Sequence, residues 1–412
     1  MNNSLRDRLK SLGSQAGMKK PPKNNLERTY PIQTTLSGDF ILNSFGETFL
    51  HTEKFAKDYL HGDVTLSTPV GITTLARWAK TPQLEPLFSR DLIFLDTETT
   101  GLSGGTGTFI FLVGIGFQTD EGFQVKQFFL RNPAEETAFL SALDESVSGF
   151  QGLVTFNGKS FDIPILRTRY TLNGFSSPFS GKNHIDLLPL ARRLWKYRLS
   201  NRNLSVLETE ILKMGRSNEE IPGWMVPEMY IDYCRNGDSR PLKGVFYHNA
   251  MDIISLAGLL IKISNLLDSE KLEVLNEGVD IMAVGKLFES LGDDSEAKTF
   301  FETALQKPME VSHRMLAEKS YALLCKRNGK WDLSIPIWKN LAASGDWDSC
   351  VELAKYYEHT LGDYSEARYY TERGLNNLQN SDSRVGKMNA LKIGLIQRKY
   401  RLDCKIEKNV EK

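Results

Sequence analysis

Apolar and polar positions alternate over short runs in the first two-thirds of the chain and shift to helical spacing beyond Leu260. From Arg28 to Leu66, stretches such as DFILNS and ETFLHTEKF alternate like short strands around turns, and Ile72 to Trp78 is placed to begin a helix. The stretch Asp91 to Phe117 carries two apolar runs around a glycine-rich turn. Leu92 to Leu95 predicts a buried strand and Phe109 to Val113 a second, joined as an antiparallel hairpin. A phosphate-cradling loop would end in GK[ST] and enter a helix, whereas this turn runs into a strand. Phe123 to Leu130 predicts a third strand, and Pro133 to Leu143 an amphipathic helix with Glu135 and Glu136 near its start. Leu153 to Phe156 reads as a short buried strand and Asn157-Gly158 as a turn. Ser160 is placed to cap a helix whose first turn holds Asp162 and Pro164. Tyr247 to Leu260 predicts one further helix.

At 412 residues, with 41% hydrophobic and 25% charged positions, the chain has the composition of a soluble globular protein of more than one domain. No uninterrupted apolar run reaches the roughly 18 to 20 residues of a membrane helix, and MNNSLRDRLKSLG has no signal-peptide core, so the expectation is a cytoplasmic protein without a membrane partner. Cys234, Cys325, Cys350 and Cys404 are scattered, as free thiols in a reducing compartment would be. The 51 Lys plus Arg balance 51 Asp plus Glu, so any site for a polyanion is local. Residues 1–30, basic and interrupted by Pro21-Pro22, are expected to be a solvated, partly disordered arm, and Ile406 to Lys412 a frayed tail.

Candidate chemistry begins at the end of the first buried strand. Side chains alternate along a strand, so Asp96 and Glu98 share a face. Such a pair is either a solvated strand end or a place for a divalent cation, which lets both carboxylates stay ionised. Asp162 in a helix first turn is either a dipole complement or a third carboxylate for the same centre.

Taken together, Asp96 and Glu98, then Asn157, Phe161 and Asp162, then His248 and Asp252 resemble the three exonuclease motifs of the DEDD superfamily of RNase H-like 3′-to-5′ exonucleases. More narrowly, HIDLLPLARRLW, LSVLETEIL and YHNAMDIISLAGLL resemble the YprB-like branch, and the likeness extends over residues 30–265. One departure stands out: that superfamily has a Tyr three residues before the last Asp or a His four before it. Counting the residues that lie between, this chain has His248 in the Tyr position, with three residues before Asp252, and Tyr247 in the His position, with four. The resemblance implies that Asp96, Glu98, Asp162 and Asp252 hold two Mg²⁺ or Mn²⁺ ions, with Asp96 bridging them and His248 taking a proton from, or orienting, the attacking water. Two hard cations roughly 3.5 to 4 Å apart would activate water and stabilise the leaving oxygen of a phosphodiester.

Thr97, Asn157 and Phe161 are expected to contact substrate. Arg192, Arg193 and Trp195 head a basic and aromatic run, continued by Lys196, Tyr197, Arg198 and Arg202, suited either to holding phosphates and stacking bases or to an exposed helix face with a buried Trp. Asp186 matches an acidic position of the resembled branch and His184 accompanies it; His51, His61 and His184 read as structural.

Gly292, Gly329 and Gly362 head comparable stretches 37 and 33 residues apart, with small residues at Ala297, Ser334 and Ala367 and large ones at Phe301 and Trp338. This period resembles tetratricopeptide (TPR) helix pairs, which would recruit a protein partner or brace the catalytic domain. The expected architecture is an α/β fold, an RNase H-like mixed sheet with flanking helices, followed by an all-α TPR-like repeat domain. Residues 1–30 form the arm, 31–90 a β-rich lead-in, 91–267 the RNase H-like exonuclease domain and 275–400 the repeats. The expected activity is metal-dependent 3′-5′ exonucleolytic hydrolysis of single-stranded DNA or RNA ends. The alternatives are a non-catalytic nucleic-acid-binding scaffold and a structure-specific endonuclease.

Overall fold

A computed structural model describes residues 30–101, 107–215, 221–379 and 385–410. The basic arm up to residue 29, residues 102–106 of the glycine turn and the last two residues of the expected tail lie outside the described residues. The rest of that tail, from Ile406 to Val410, continues a helix.

Among the described residues, nine strands form in chain order: β1 Asp39–Asn43, β2 Gly46–Ala56, β3 Leu60–His61, β4 Val64–Thr65, β5 Leu92–Thr99, β6 Ile110–Thr119, β7 Gly122–Phe129, β8 Gly152–Thr155 and β9 Asn183–Asp186. Seven make one mixed sheet in the order β1-β2-β7-β6-β5-β8-β9, and β3 with β4 forms a small hairpin beside it. The lead-in strands β1 and β2 are therefore part of the central sheet. From β1 to β5 neighbouring strands run antiparallel, whereas β5, β8 and β9 are parallel. Parallel neighbours need crossovers, and helices supply them.

Among the described residues, the helices of seven or more residues up to residue 266 are α1 Thr73–Ala79, α2 Glu136–Val147, α3 Asp162–Leu172, α4 Leu187–Leu194, α5 Val226–Asn236 and α6 Leu242–Leu266. The pleat of β5 divides its side chains between two cores. Leu92 and Phe94 join the core of α1, α4 and most of α6; Ile93 and Leu95 join that of α2 and α3. By length and composition α6 could cross a membrane, but most of its apolar window is buried within the domain.

Two glycines let α6 lie close to the sheet. A Cβ on Gly114 would stand 2.2 Å from both Asn249 Oδ1 and Ile253 Cδ1, and one on Gly116 would stand 2.4 Å from Ile253 Cγ2. Gln127 fastens the same contact by donating to the Phe246 carbonyl and to Asn249 Oδ1, each at 2.8 Å.

Beyond α6 the chain is helical: α7 Gly278–Ser290, α8 Asp294–Gln306, α9 Val311–Arg327, α10 Trp331–Ala343, α11 Trp347–Tyr356, α12 Tyr364–Gln379 and α13 Val385–Val410. Helices α7/α8, α9/α10 and α11/α12 form three successive pairs, with Gly292, Gly329 and Gly362 in the turns inside them. All three adopt positive φ, between 68° and 75°, where a Cβ is penalised. The small residues Ala297, Ser334 and Ala367 are fully buried where the second helix of each pair meets its neighbours.

The first pair shares a core with the sheet domain. Ile281, Met282, Val284, Leu287, Phe300 and Phe301 belong to the same buried cluster as Leu187, Leu190 and Leu256. Arg193 donates to the Lys286 carbonyl at 2.8 Å, Arg198 pairs with Asp280 at 3.1 Å and Arg77 with Asp293 at 3.1 Å. Burial raises the Asp280 carboxyl to about 7 against the opposing pull of Arg198.

Two outcomes follow from this packing. Gly114→Ala forces an overpacked contact and is expected to cost about 1–3 kcal/mol in urea denaturation, while Gly71→Ala, with open space around it, should stay within about 0.5 kcal/mol of the parent. A chain ended at Leu267 uncovers the shared core. Its melting temperature is expected to fall well below that of a chain ended after α8, and equal values would show that the first pair adds no cover.

Candidate active site

Strand β5 pairs with β8 only from Leu92–Gly152 to Phe94–Val154. The end of β5 that carries Asp96 and Glu98 therefore runs past its pairing with β8, at the C-terminal ends of the parallel strands, where open α/β sheets hold their ligands. Asp96 lies opposite Gly114 and Glu98 opposite Leu112 on β6, with an irregularity in the pairing after Glu98. Because Gly114 has no side chain, Asn249 of α6 reaches across it and donates to Asp96 Oδ2 at 2.8 Å.

Asp162 arrives from the opposite layer, at the start of α3. Thr97, facing away from Asp96 and Glu98, donates its hydroxyl to Asp162 Oδ1 at 2.5 Å. On α6, His248 and Asp252 share a face, with His248 Nε2 at 3.6 Å from Asp252 Oδ2. Tyr247 is turned to solvent, 40% exposed, as its five-residue separation from Asp252 on a regular helix requires.

The four carboxylates act on one another. Burial, then Asp252 and Asp162, raise the Asp96 carboxyl well above the usual range. Burial, then Asp96, Asp252 and Asp162, do the same for Glu98. Burial lifts Asp162 to about 6; the Thr97 hydrogen bond opposes this and Asp186 adds to it. Among the described residues, no three His, Cys, Asp or Glu side chains close into a ligand cage. The donor set nonetheless fits hard divalent cations, being oxygen-only and made of buried or half-buried carboxylates whose repulsion such an ion relieves.

Several expected contacts take another role. Trp195 is only 2% exposed and lies in the shared core, so its ring is closed to bases. Arg193 is held by the Lys286 carbonyl of α7. Thr97 is buried and its hydroxyl serves Asp162. Phe161 is half-buried against the core of α2 and α3, and it occupies the cap position of α3 without a side-chain cap, where Ser160 was expected. Asn157 remains exposed, in a left-handed conformation at φ 67°. Arg192 is likewise exposed, on the last turn of α4.

Asp186 is a structural cap. Its Oδ1 accepts from the N–H groups of Asn157 at 2.8 Å and Leu188 at 3.1 Å, and its Oδ2 from Lys159 at 3.1 Å. It thus starts α4 and holds the turn leading to Asp162. His184, held to about 3 first by burial and then by Lys159, faces the Thr155 hydroxyl at 2.8 Å. His61 is held to about 4 by burial and bonds to Ser255 at 2.8 Å, and His51 meets the Ser37 carbonyl. Asn249 is the residue that the sequence reading missed. Its i,i+3 spacing to Asp252 placed it on the same helix face, yet an Asn in a helix carries no distinguishing pattern.

A family model described as the RNase_H superfamily matches residues 93–264, from β5 nearly to the end of α6. The uncharacterized protein YprB of Bacillus subtilis (strain 168) is 33% identical over 319 residues, which cover 75% of this chain and 75% of that protein. The matched span contains Asp96, Glu98, Asp162 and Asp252 and nearly all of the helix that lies across Gly114, and with identity over so much of both sequences the chain belongs to the RNase H-like family that includes YprB.

Proposed function

We propose that the protein is a metal-dependent 3′-5′ exonuclease of the DEDD type that hydrolyses phosphodiester bonds at single-stranded DNA or RNA ends. Membership of the RNase H superfamily supports nucleic-acid cleavage as the broader activity. The observation that carries the reading is the convergence of Asp96, Glu98, Asp162 and Asp252 from three elements, with His248 one helical turn from Asp252. In this reading the four carboxylates hold two Mg²⁺ or Mn²⁺ ions, which would supply charge neutralisation and an activated water. Asn249 fixes the rotamer of Asp96 and Thr97 that of Asp162. His248 orients the water or takes its proton, standing beside Asp252 where Tyr247 turns to solvent.

The three helix pairs fit a TPR-like stack, with the first pair as a brace for the sheet domain and the remaining pairs available to a protein partner. A reducing, cytoplasmic setting belongs to the same reading and rests on the four free thiols. A non-catalytic scaffold would have no use for four mutually repelling acids, Asp162 buried and the other three half-buried. Endonuclease action is separated from exonuclease action by a circular single-stranded substrate, which an exonuclease leaves intact.

The metal site predicts a linked change in activity and stability. Asp96→Asn is expected to abolish hydrolysis of a labelled oligonucleotide under Mg²⁺ and Mn²⁺ alike. Raised carboxyls favour the fold below their unfolded values near 4, and that contribution is lost as pH rises through the folded values, about 6 for Asp162. In EDTA, Asp96→Asn should therefore melt higher than the parent, by more at pH 8 than at pH 5. Full Mn²⁺-dependent activity in this variant would remove the assignment.

The two helix residues divide cleanly. His248→Ala is expected to lose about 10² to 10⁴ in rate with metal affinity largely kept, and Tyr247→Phe to be nearly silent, both in single-turnover hydrolysis. The reverse pattern would make the tyrosine the residue that orients water.

A further inference from the structure

The basic run from Arg192 to Arg202 separates into two groups in the folded chain. Arg193, Trp195 and Arg198 engage the helical region. Arg192 and Arg202 instead line a cleft of about 500 Å³ together with Phe156, Asn157, Leu188 and the loop from Ser200 to Asn203. Among the described residues no carboxylate lines it, so its two guanidinium groups meet no neutralising charge from them within the cleft.

The rim is built rather than loose. Arg202 Nη1 donates to the carbonyls of Leu199 at 2.6 Å and Ser200 at 2.9 Å, arching the loop, while its Nε is buried and has no hydrogen-bond partner among the described residues. Asn201 Oδ1 accepts from the Asn203 N–H at 3.1 Å, and Asn203 Oδ1 accepts from Val206 N–H at 3.0 Å.

The cleft adjoins the carboxylates through a single turn. Asn157 lines it, and the next residue, Gly158, accepts from the Ile163 N–H at 3.0 Å, which lays the turn against the first residues of α3 and hence Asp162. Asp186 clamps the same turn from below.

We propose that this cleft binds one unpaired nucleotide of a nucleic-acid strand, next to the nucleotide held at the carboxylates, and so makes the site select single strands. Its phosphate meets Arg192 and Arg202, its base lies against the apolar wall of Phe156 and Leu188, and the amides of Asn157 and Asn201 face its polar edges. The volume is in the range of sites for single small molecules. A base held in a duplex cannot enter such a recess without leaving its stack. The position of this nucleotide beside one held at the carboxylates rests on the hydrolase reading above; binding of the unpaired nucleotide does not.

The test uses the full chain in EDTA, where nothing is hydrolysed, with a fluorescein-labelled single strand of about ten nucleotides and a blunt duplex of the same sequence, followed by anisotropy between about 50 and 200 mM salt. Arg192→Ala is expected to weaken single-strand binding about tenfold and to lower the slope of log K against log salt by about 0.7 to 1. Duplex binding should change by less than about threefold, because a duplex does not reach the cleft. Lys196→Ala is the control: Lys196 is exposed just beyond α4 but does not line the cleft, and this variant should match the parent within about twofold. Equal affinities for the Arg192 and Lys196 variants, or equal losses on both substrates, would overturn the proposal. A protein that binds through Arg192 but cleaves nothing under Mg²⁺ would refute the hydrolase and leave the cleft standing. Cleavage with binding indifferent to Arg192 would do the opposite.

Discussion

The close approach of α6 to β6 is the constraint on which the rest of the site depends. At ordinary helix-to-sheet distance, Asn249 would not reach Asp96 and Asp252 would stand off from β5. Gly114 removes the side chain opposite Asp96, and Gly116 does the same one pleat further along. The helix settles into that groove with Ile253 over the glycines, and Gln127 ties down its backbone and Asn249 together. One contact thus brings His248, Asn249 and Asp252 to the strand that carries Asp96 and Glu98.

The second constraint is the change from antiparallel to parallel pairing at β5. An antiparallel partner on β6 continues alongside Asp96 and Glu98, while the parallel partner β8 leaves after Phe94. The space that β8 vacates is where Asp162 enters from the other face of the sheet. Two side chains make that entry reproducible: Asp186 accepts three backbone N–H groups around the turn, and Thr97 anchors the arriving carboxylate. Both are buried, and charge or hydroxyl groups in such places are retained where their hydrogen bonds are complete.

The helical region is coupled to this centre through α4. One side of α4 and the segment after it supplies Trp195 and Arg198 to the shared core and its rim, and Arg193 reaches a carbonyl of α7. At the far end, Glu358 is fully buried beneath Arg398, Arg401 and Lys405 of α13, and although burial opposes ionisation these cations hold its carboxyl down to about 2. The stack is thus fastened by an apolar core at one end and by a charge cluster at the other.

Much of the fold was legible in the sequence because its signals are local. The alternation in ETFLHTEKF and the apolar runs around the glycine turn mark strands whatever their partners, and the helical spacing of α6 places His248 and Asp252 on one face while sending Tyr247 to another. The recurrent Gly292, Gly329 and Gly362 mark turns because only a residue without Cβ adopts positive φ freely. What the sequence left open depended on distant neighbours. Trp195 and Arg193 lie in a run that suits phosphates and bases equally well, and only the packing of α7 assigns them to an interface. Ser160 has the chemistry of a cap, yet Asp186, 26 residues on in the chain, takes the backbone donors of that turn. Gly114 reads as one apolar-strand glycine among several until the tertiary structure lays a helix across it, because a missing side chain acquires meaning only from what occupies its space.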